Sequence, residues 1–350
     1  MVEFNEITKN LPKYLLTLSI IMVATYFANN VKNSFQSNDE YELIKKYLLN
    51  DSPLYGFNKP KIWIHTKYEV NSRKWKSFYS RNSTDLNQPY IHLTIKTIIN
   101  HCGNDFNICL IDDETFSKLI PSWDIDLTTI AEPMKSHIRE IGMLELVYYY
   151  GGMIVPNSFI CLKNMNDMYL DGISNDSAFI CEKVCNSVNI SKRKNKLPFA
   201  PDTYFMGAPK NNATIKELIQ YLKQRNQSPH FNMEIEFLGD TSEWCIDAVN
   251  KHKMNLIGGE LIGIKSTNRK PILVDELMEE KFLDLNKNTY GIYIPEDDIL
   301  KRHKFQWFAV MDGGQLLETN TIIAKYMKAS LVDSVSEYTT STEMKSVVSI

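Results

Sequence analysis

The 350-residue chain has no long basic block. Its 39 Lys and Arg are offset by 42 Asp and Glu, for a net charge of −3. A nucleic-acid surface shows itself as a basic stripe, so bulk charge gives no ground for nucleic acid as a partner. The nearest approach is Lys192-Arg193-Lys194-Asn195-Lys196. No aromatic platform interleaves it, and it reads as a solvated loop. Zinc spacing is missing too. Among the six cysteines, Cys181-x-x-x-Cys185 has no second ligand pair at a suitable distance. Several cysteines lie in apolar runs, such as Ile108-Cys109-Leu110, and read as buried free thiols. There is no internal repeat.

What is present begins with an uncharged run from Tyr14 to Val31, 18 residues long. That length just suffices to span a hydrocarbon core, and Tyr14, Tyr26 and Phe27 sit near its ends, where interfacial aromatics are favoured. The reading is a single-pass membrane anchor. A cleaved signal peptide is a rival, but no small-x-small site clearly follows the run. A buried amphipathic helix is the other. Lys9 and Lys13 lean the orientation towards a cytoplasmic N-terminus. The expected organisation is a tail over 1–13, an anchor over 14–31, a polar stalk over 32–58, a globular domain over 59–330 and a mobile tail over 331–350, with the tail character beginning at Lys328.

The globular domain alternates strand and helix. Ile62-Trp63-Ile64-His65 is a first strand, introduced by Pro60. A helix with Ile91, Ile95, Ile98 and Ile99 at helical spacing follows, and stops at His101-Cys102-Gly103. Asn107 to Ile111 is a second strand, ending in Asp112-Asp113, which also reads as a capping signal for a short helix from Glu114 to Leu119. Strand, helix, strand is a βαβ unit, so the expected fold is α/β, Rossmann-like, with a mostly parallel sheet flanked by helices. Ligands in such sheets gather at the carboxyl ends of the strands. His65 is therefore a candidate ligand contact. Arg73 and Arg81, in the polar loop after the first strand, have the planar donor geometry that suits a diphosphate. Further strands are expected at 178–181, 202–209, 256–259, 272–274 and 290–295, and helices at 213–224 and 314–327. Met233 to Phe237 alternates as either a strand or a helix with one wet face. Asp202 is a candidate acid or base.

The most informative stretch is Ser136 to Ser158. Ile138, Ile141, Leu144 and Val147 recur at helical spacing and give one apolar face. Gly151-Gly152 stops the helix, since glycine takes a left-handed cap without steric cost. Met153-Ile154-Val155 is a short buried strand, closed by Pro156.

These residues resemble the arginine–helix–tyrosine–Gly-Gly–strand segment of DXD-type glycosyltransferases, the group that includes capsular-polysaccharide-synthesis proteins. The Gly-Gly-Met-x-Val-Pro form is similar to glycosyltransferase-like proteins of large DNA viruses. The resemblance implies a GT-A-like fold, a nucleotide-sugar donor, and a substrate-binding role for Arg139, Gly151 and Gly152 beside His65 and Arg73, with Asp202 as the catalytic candidate. It also implies an Asp-x-Asp pair that holds Mn²⁺ or Mg²⁺ across the donor diphosphate. Here those positions are Pro156 and Ser158, neither an anionic ligand, so no metal-ligating residue is assigned. The aspartate usual before the arginine is His137. Two readings stay open: a membrane-anchored, nucleotide-sugar-dependent transferase that works without the metal, or a catalytically inactive glycosyltransferase-fold protein acting as a structural or binding component, for example of a virion or its membrane.

Overall fold

The computed structural model describes residues 59–66, 88–185, 198–227 and 234–332. The expected anchor and stalk, Arg73, Arg81, the basic cluster at 192–196 and residues 333–350 lie outside these. Among the described residues no helix is long and apolar enough to cross a membrane.

The chain opens with β1 (Lys61–His65), α1 (Ile91–Cys102) and β2 (Asn107–Ile111). β1 pairs with β2 in parallel, from Lys61↔Asn107 to His65↔Ile111, as a βαβ unit should. Leu93, Ile95, Ile98 and Cys102 of α1 are buried, the stripe that its spacing implies. A short α2 (Thr115–Leu119) leads to the central helix, α3 (Met134–Tyr150). Ile141, Leu144, Leu146 and Val147 of α3 are buried. Each such side chain contributes about 1.5–3 kcal/mol on full burial, so α3 is held by packing more than by helix propensity.

β3 (Gly152–Ile154) follows at once and pairs in parallel with β1. The turn needs two glycines, with φ of 69° at Gly151 and 97° at Gly152. A Cβ on Gly152 would lie 2.2 Å from the Lys61 carbonyl oxygen, so the β1–β3 pairing itself requires glycine there. Next come β4 (Phe159–Cys161), α4 (Asn166–Gly172), β5 (Ala178–Val184), β6 (Phe199–Ala208), α5 (Ala213–Asn226), α6 (Glu234–Asn250), β7 (Met254–Ile257) and β8 (Gly291–Tyr293).

The main sheet has the order β2-β1-β3-β6-β5-β7. β6 runs antiparallel to both its neighbours, and the other five strands share one direction. The sheet is thus mostly parallel. β4 and β8 form a separate antiparallel pair. One face of the main sheet packs with α3, α5 and α6 into one core, around Trp63, Leu144, Met206 and Leu218. A second core gathers Leu93, Ile160, Ile292, Phe305, Phe308, Ile323 and Met327.

Three expectations need correction. The strand expected at 272–274 is an isolated bridge, Lys265↔Pro271, followed by a helical turn at Val274–Leu277. The single helix expected at 314–327 is two, Gly313–Glu318 and residues 322–332. Thr319 and Thr321 make the break: their hydroxyls bond each other at 2.9 Å, and Thr319 also donates to the Leu316 carbonyl. The mobile character expected from Lys328 does not begin there, since Ser330 is buried and its hydroxyl donates to the Cys161 carbonyl at 2.5 Å.

Candidate functional site

The carboxyl ends of β1, β2 and β3 meet along one edge of the sheet. β1 delivers His65 there, and β2 delivers Asp112 and Asp113. The two aspartates divide the work. Asp112 closes onto the first residue of α2, with its Oδ1 accepting from the Thr115 N–H at 2.9 Å and from the Thr115 hydroxyl at 2.6 Å. Asp113 turns across the edge towards α3. Its Oδ1 accepts from Arg139 Nε at 2.7 Å and its Oδ2 from Arg139 Nη2 at 2.6 Å, a two-point grip. His65 Nε2 bonds the same Oδ1 at 3.0 Å. Burial works against ionisation of Asp113, but the hydrogen bonds from His65 and Arg139 outweigh it and hold the carboxyl well below the usual carboxylate range. Arg139 Nη1 also donates to Glu132 Oε1 at 3.2 Å.

Packing fixes the imidazole. The His65 ring stacks on Phe116, centroids 5.7 Å apart at 10°. Phe116 in turn lies against Gly142 of α3, where a Cβ would come within 2.9 Å of the Phe116 ring. The small residue in α3 therefore admits the ring that supports His65.

Pro156-Asn157-Ser158 follows β3 along the same edge. The Asn157 amide donates to the His65 carbonyl at 3.2 Å, and the Thr94 hydroxyl donates to the Asn157 carbonyl. Ser158 is fully buried and its carbonyl accepts from Ile294 N–H at 2.9 Å, while its hydroxyl has no hydrogen-bond partner. A proline, a carboxamide turned onto a backbone carbonyl and a buried serine do not make the hard anionic set that Mn²⁺ or Mg²⁺ prefers. Among the described residues no group of three or more His, Cys, Asp or Glu side chains is placed to hold a metal ion.

A second polar cluster lies on β5 and β6. The β5–β6 register jumps from Ile180↔Met206 to Cys181↔Asp202, so Thr203, Tyr204 and Phe205 bulge out of the ladder. The Thr203 hydroxyl donates to Glu140 Oε1 at 2.5 Å. Asp202 Oδ1 accepts the Tyr204 N–H at 3.0 Å and lies 4.0 Å from Lys183 Nζ. Burial, then the Asp202 charge, push the Glu140 carboxyl up to about 7, against the opposing pull of Thr203 and Lys183. Burial opposes the charge on Lys183, but Asp202, Tyr293, Asp297 and Glu140 surround it and raise its affinity for the proton.

The structure thus brings His65 and Arg139 together through Asp113. Asp202 stands in the second cluster, with Glu140. Gly151 and Gly152 lie at the amino end of β3, away from the strand ends that carry His65 and Asn157, where Gly151 caps α3 and accepts from the Trp63 indole at 2.9 Å. Asp113 as a partner, Asn157, Glu140 and Lys183 were not expected from sequence. Only Asp113 gave a signal, as one of two adjacent acids at a strand end.

No protein-family model matches the chain. No curated protein matches it. Among solved structures, one described as "PaToxG Glycosyltransferase" matches with TM-score 0.32 and 14% identity, over 55% of this chain and 70% of that one. The apo form of glycosyltransferase GlyE from Streptococcus pneumoniae TIGR4 matches with TM-score 0.36 and 10% identity, over 79% of this chain and 64% of that one.

Proposed function

We propose that this chain is a glycosyltransferase-like protein with a GT-A-like fold that binds a nucleotide-sugar donor at the carboxyl edge of its sheet without a divalent cation. The observation that carries the reading is that Asp113 holds two donor side chains, Arg139 and His65, together at the ends of β1 and β2, beside a Pro156–Ser158 segment that has no carboxylate. A diphosphate needs its charge answered, and an aligned guanidinium does so with little ordering cost. His65, and Arg73 from the sequence that follows β1, are the other donors this reading assigns to the diphosphate. Residues 14–31 anchor the domain to a membrane, either a host endomembrane or that of a virion.

One observation favours the second reading, an inactive scaffold that serves as a structural or binding component. Asp113 and Glu132 already answer the Arg139 charge. Calorimetry of the full chain against a panel of nucleoside-diphosphate sugars, with and without Mn²⁺, separates the two. The expected result is metal-independent binding, weakened roughly 10- to 100-fold by Arg139→Ala, the loss of one strong charge-assisted contact. Binding only with Mn²⁺ would overturn the metal-free route. No binding to any donor would leave the scaffold.

A further inference from the structure

We propose that Glu140 is the general base that takes the proton of the acceptor hydroxyl, with Asp202, Thr203 and Lys183 as its positioning residues. The inference rests on the donor-binding reading given above and adds to it the group that moves the proton.

The geometry has three parts. The bulge in β6 takes Thr203 out of register and sets its hydroxyl on Glu140, and bulges are a recurrent means of re-aiming a side chain. Asp202 is held beside them by the Tyr204 N–H, with the Lys183 ammonium 4.0 Å away. Glu140 and Arg139 are neighbours on the same turn of α3, so one turn serves both polar clusters: Arg139 reaches Asp113, and Glu140 reaches Thr203. The charged groups that act on Glu140 are Asp202 on β6 and Lys183 on β5; Cys245 on α6 feels both carboxyls, and Lys183 in turn feels Tyr293 on β8 and Asp297 beyond it.

The carboxyl of Glu140 exchanges its proton near neutrality, where a general base works best. In the transfer, the acceptor oxygen bonds to the anomeric carbon and its proton passes to the Glu140 carboxylate. The anomeric carbon–oxygen bond to the diphosphate breaks, and the diphosphate departs with the bonding pair.

The test uses the full chain labelled with [¹³C]glutamate, in wild-type, Glu140→Gln, Glu140→Asp and Asp202→Asn forms. NMR titration is read beside calorimetric donor binding and hydrolysis of the nucleoside-diphosphate sugar panel, with water as the acceptor. One glutamate should titrate near 7, be absent in Glu140→Gln, and move towards the ordinary value in Asp202→Asn. Glu140→Gln should keep donor affinity within about threefold and lose turnover by about 10²–10⁴-fold, with partial return in Glu140→Asp. Wild-type turnover should fall as pH drops through that titration. A Glu140 that titrates in the ordinary carboxylate range overturns the proposal, and so does undiminished turnover in Glu140→Gln. If the wild type neither binds nor hydrolyses any donor, the donor reading fails and takes the base with it, while the titration still reports on the pair.

Discussion

Arg139 holds Asp113 with two N–H donors, Nε at 2.7 Å and Nη2 at 2.6 Å, across 26 residues of sequence. The grip ties the start of the central helix to the end of β2. Removing either side chain alone leaves its partner's charge half-buried without its main counterpart, and such losses run to about 2 kcal/mol. Removing both costs less than the sum. In denaturant unfolding, Asp113→Ala, Arg139→Ala and the double variant should show a coupling of about 1–2 kcal/mol. The sign with pH follows from the depressed carboxyl. Its stabilisation is complete above the unfolded value of 3.8 and is lost as pH falls towards the lower folded value. The coupling should therefore be full at pH 7 and shrink below about pH 4; a coupling flat down to pH 2 would mean Asp113 does not carry it.

Gly152 is the least replaceable residue of the turn. At φ 97° an L side chain is strained, and its Cβ would meet a backbone carbonyl oxygen at 2.2 Å, which cannot swing aside as a side chain can. Gly151 has φ 69° and a nearest approach of 3.0 Å. Gly152→Ala should cost more than about 3 kcal/mol in unfolding free energy, and Gly151→Ala about 1–2 kcal/mol. The reverse order would mean that the β1–β3 approach is looser than the structure has it.

Much of this frame was legible in the sequence because it rests on local signals. The apolar spacing of α1 and α3, the Gly151-Gly152 stop and the short run closed by Pro156 each declare themselves within a few residues. His65 was legible as a strand end and Arg139 as an early residue of α3. What the sequence did not show depends on distance. Asp112 and Asp113 are adjacent acids, and nothing local says which one turns to Thr115 and which one meets Arg139. Glu140 reads as an ordinary wet helix residue until β6 bulges towards it, and a bulge has no composition of its own. The break at Thr319–Thr321 was hidden because its flanks both look helical.

Ser158 occupies the second of the two positions where the resembling family carries an aspartate, and its hydroxyl is buried without a partner. A buried, unpaired hydroxyl costs about 1–3 kcal/mol, whereas the methyl of alanine fits the same space. Ser158→Ala should raise stability by about 1 kcal/mol, read as an increased urea midpoint. Ser158→Asp should lower it by several kcal/mol, because it buries a charge with no cation beside it. Rescue of Ser158→Asp by Mn²⁺ in the same unfolding measurement would show that the edge can still accept a metal.

Glu140 gives the last prediction, and its sign is opposite to that of Asp113. Its carboxyl is pushed up from 4.5 to about 7 in the fold. Between those values the folded state binds more protons than the unfolded chain, so its contribution to stability falls as pH rises through the window. The full shift corresponds to about 3 kcal/mol, and partial exposure to solvent reduces the expected figure to about 1–2 kcal/mol. Glutamine keeps the shape and accepts from Thr203 but does not titrate. Glu140→Gln should therefore match the wild type below about pH 4.5, gain on it steadily between pH 4.5 and 7, and hold a constant advantage of about 1–2 kcal/mol above that. Urea unfolding at pH 4.5, 6 and 8 measures it, and an advantage independent of pH would place the Glu140 carboxyl in the ordinary range. A gain in stability on losing the charge is also what a catalytic base predicts: the fold bears a carboxylate it would be more stable without, and folds keep such groups where chemistry needs them.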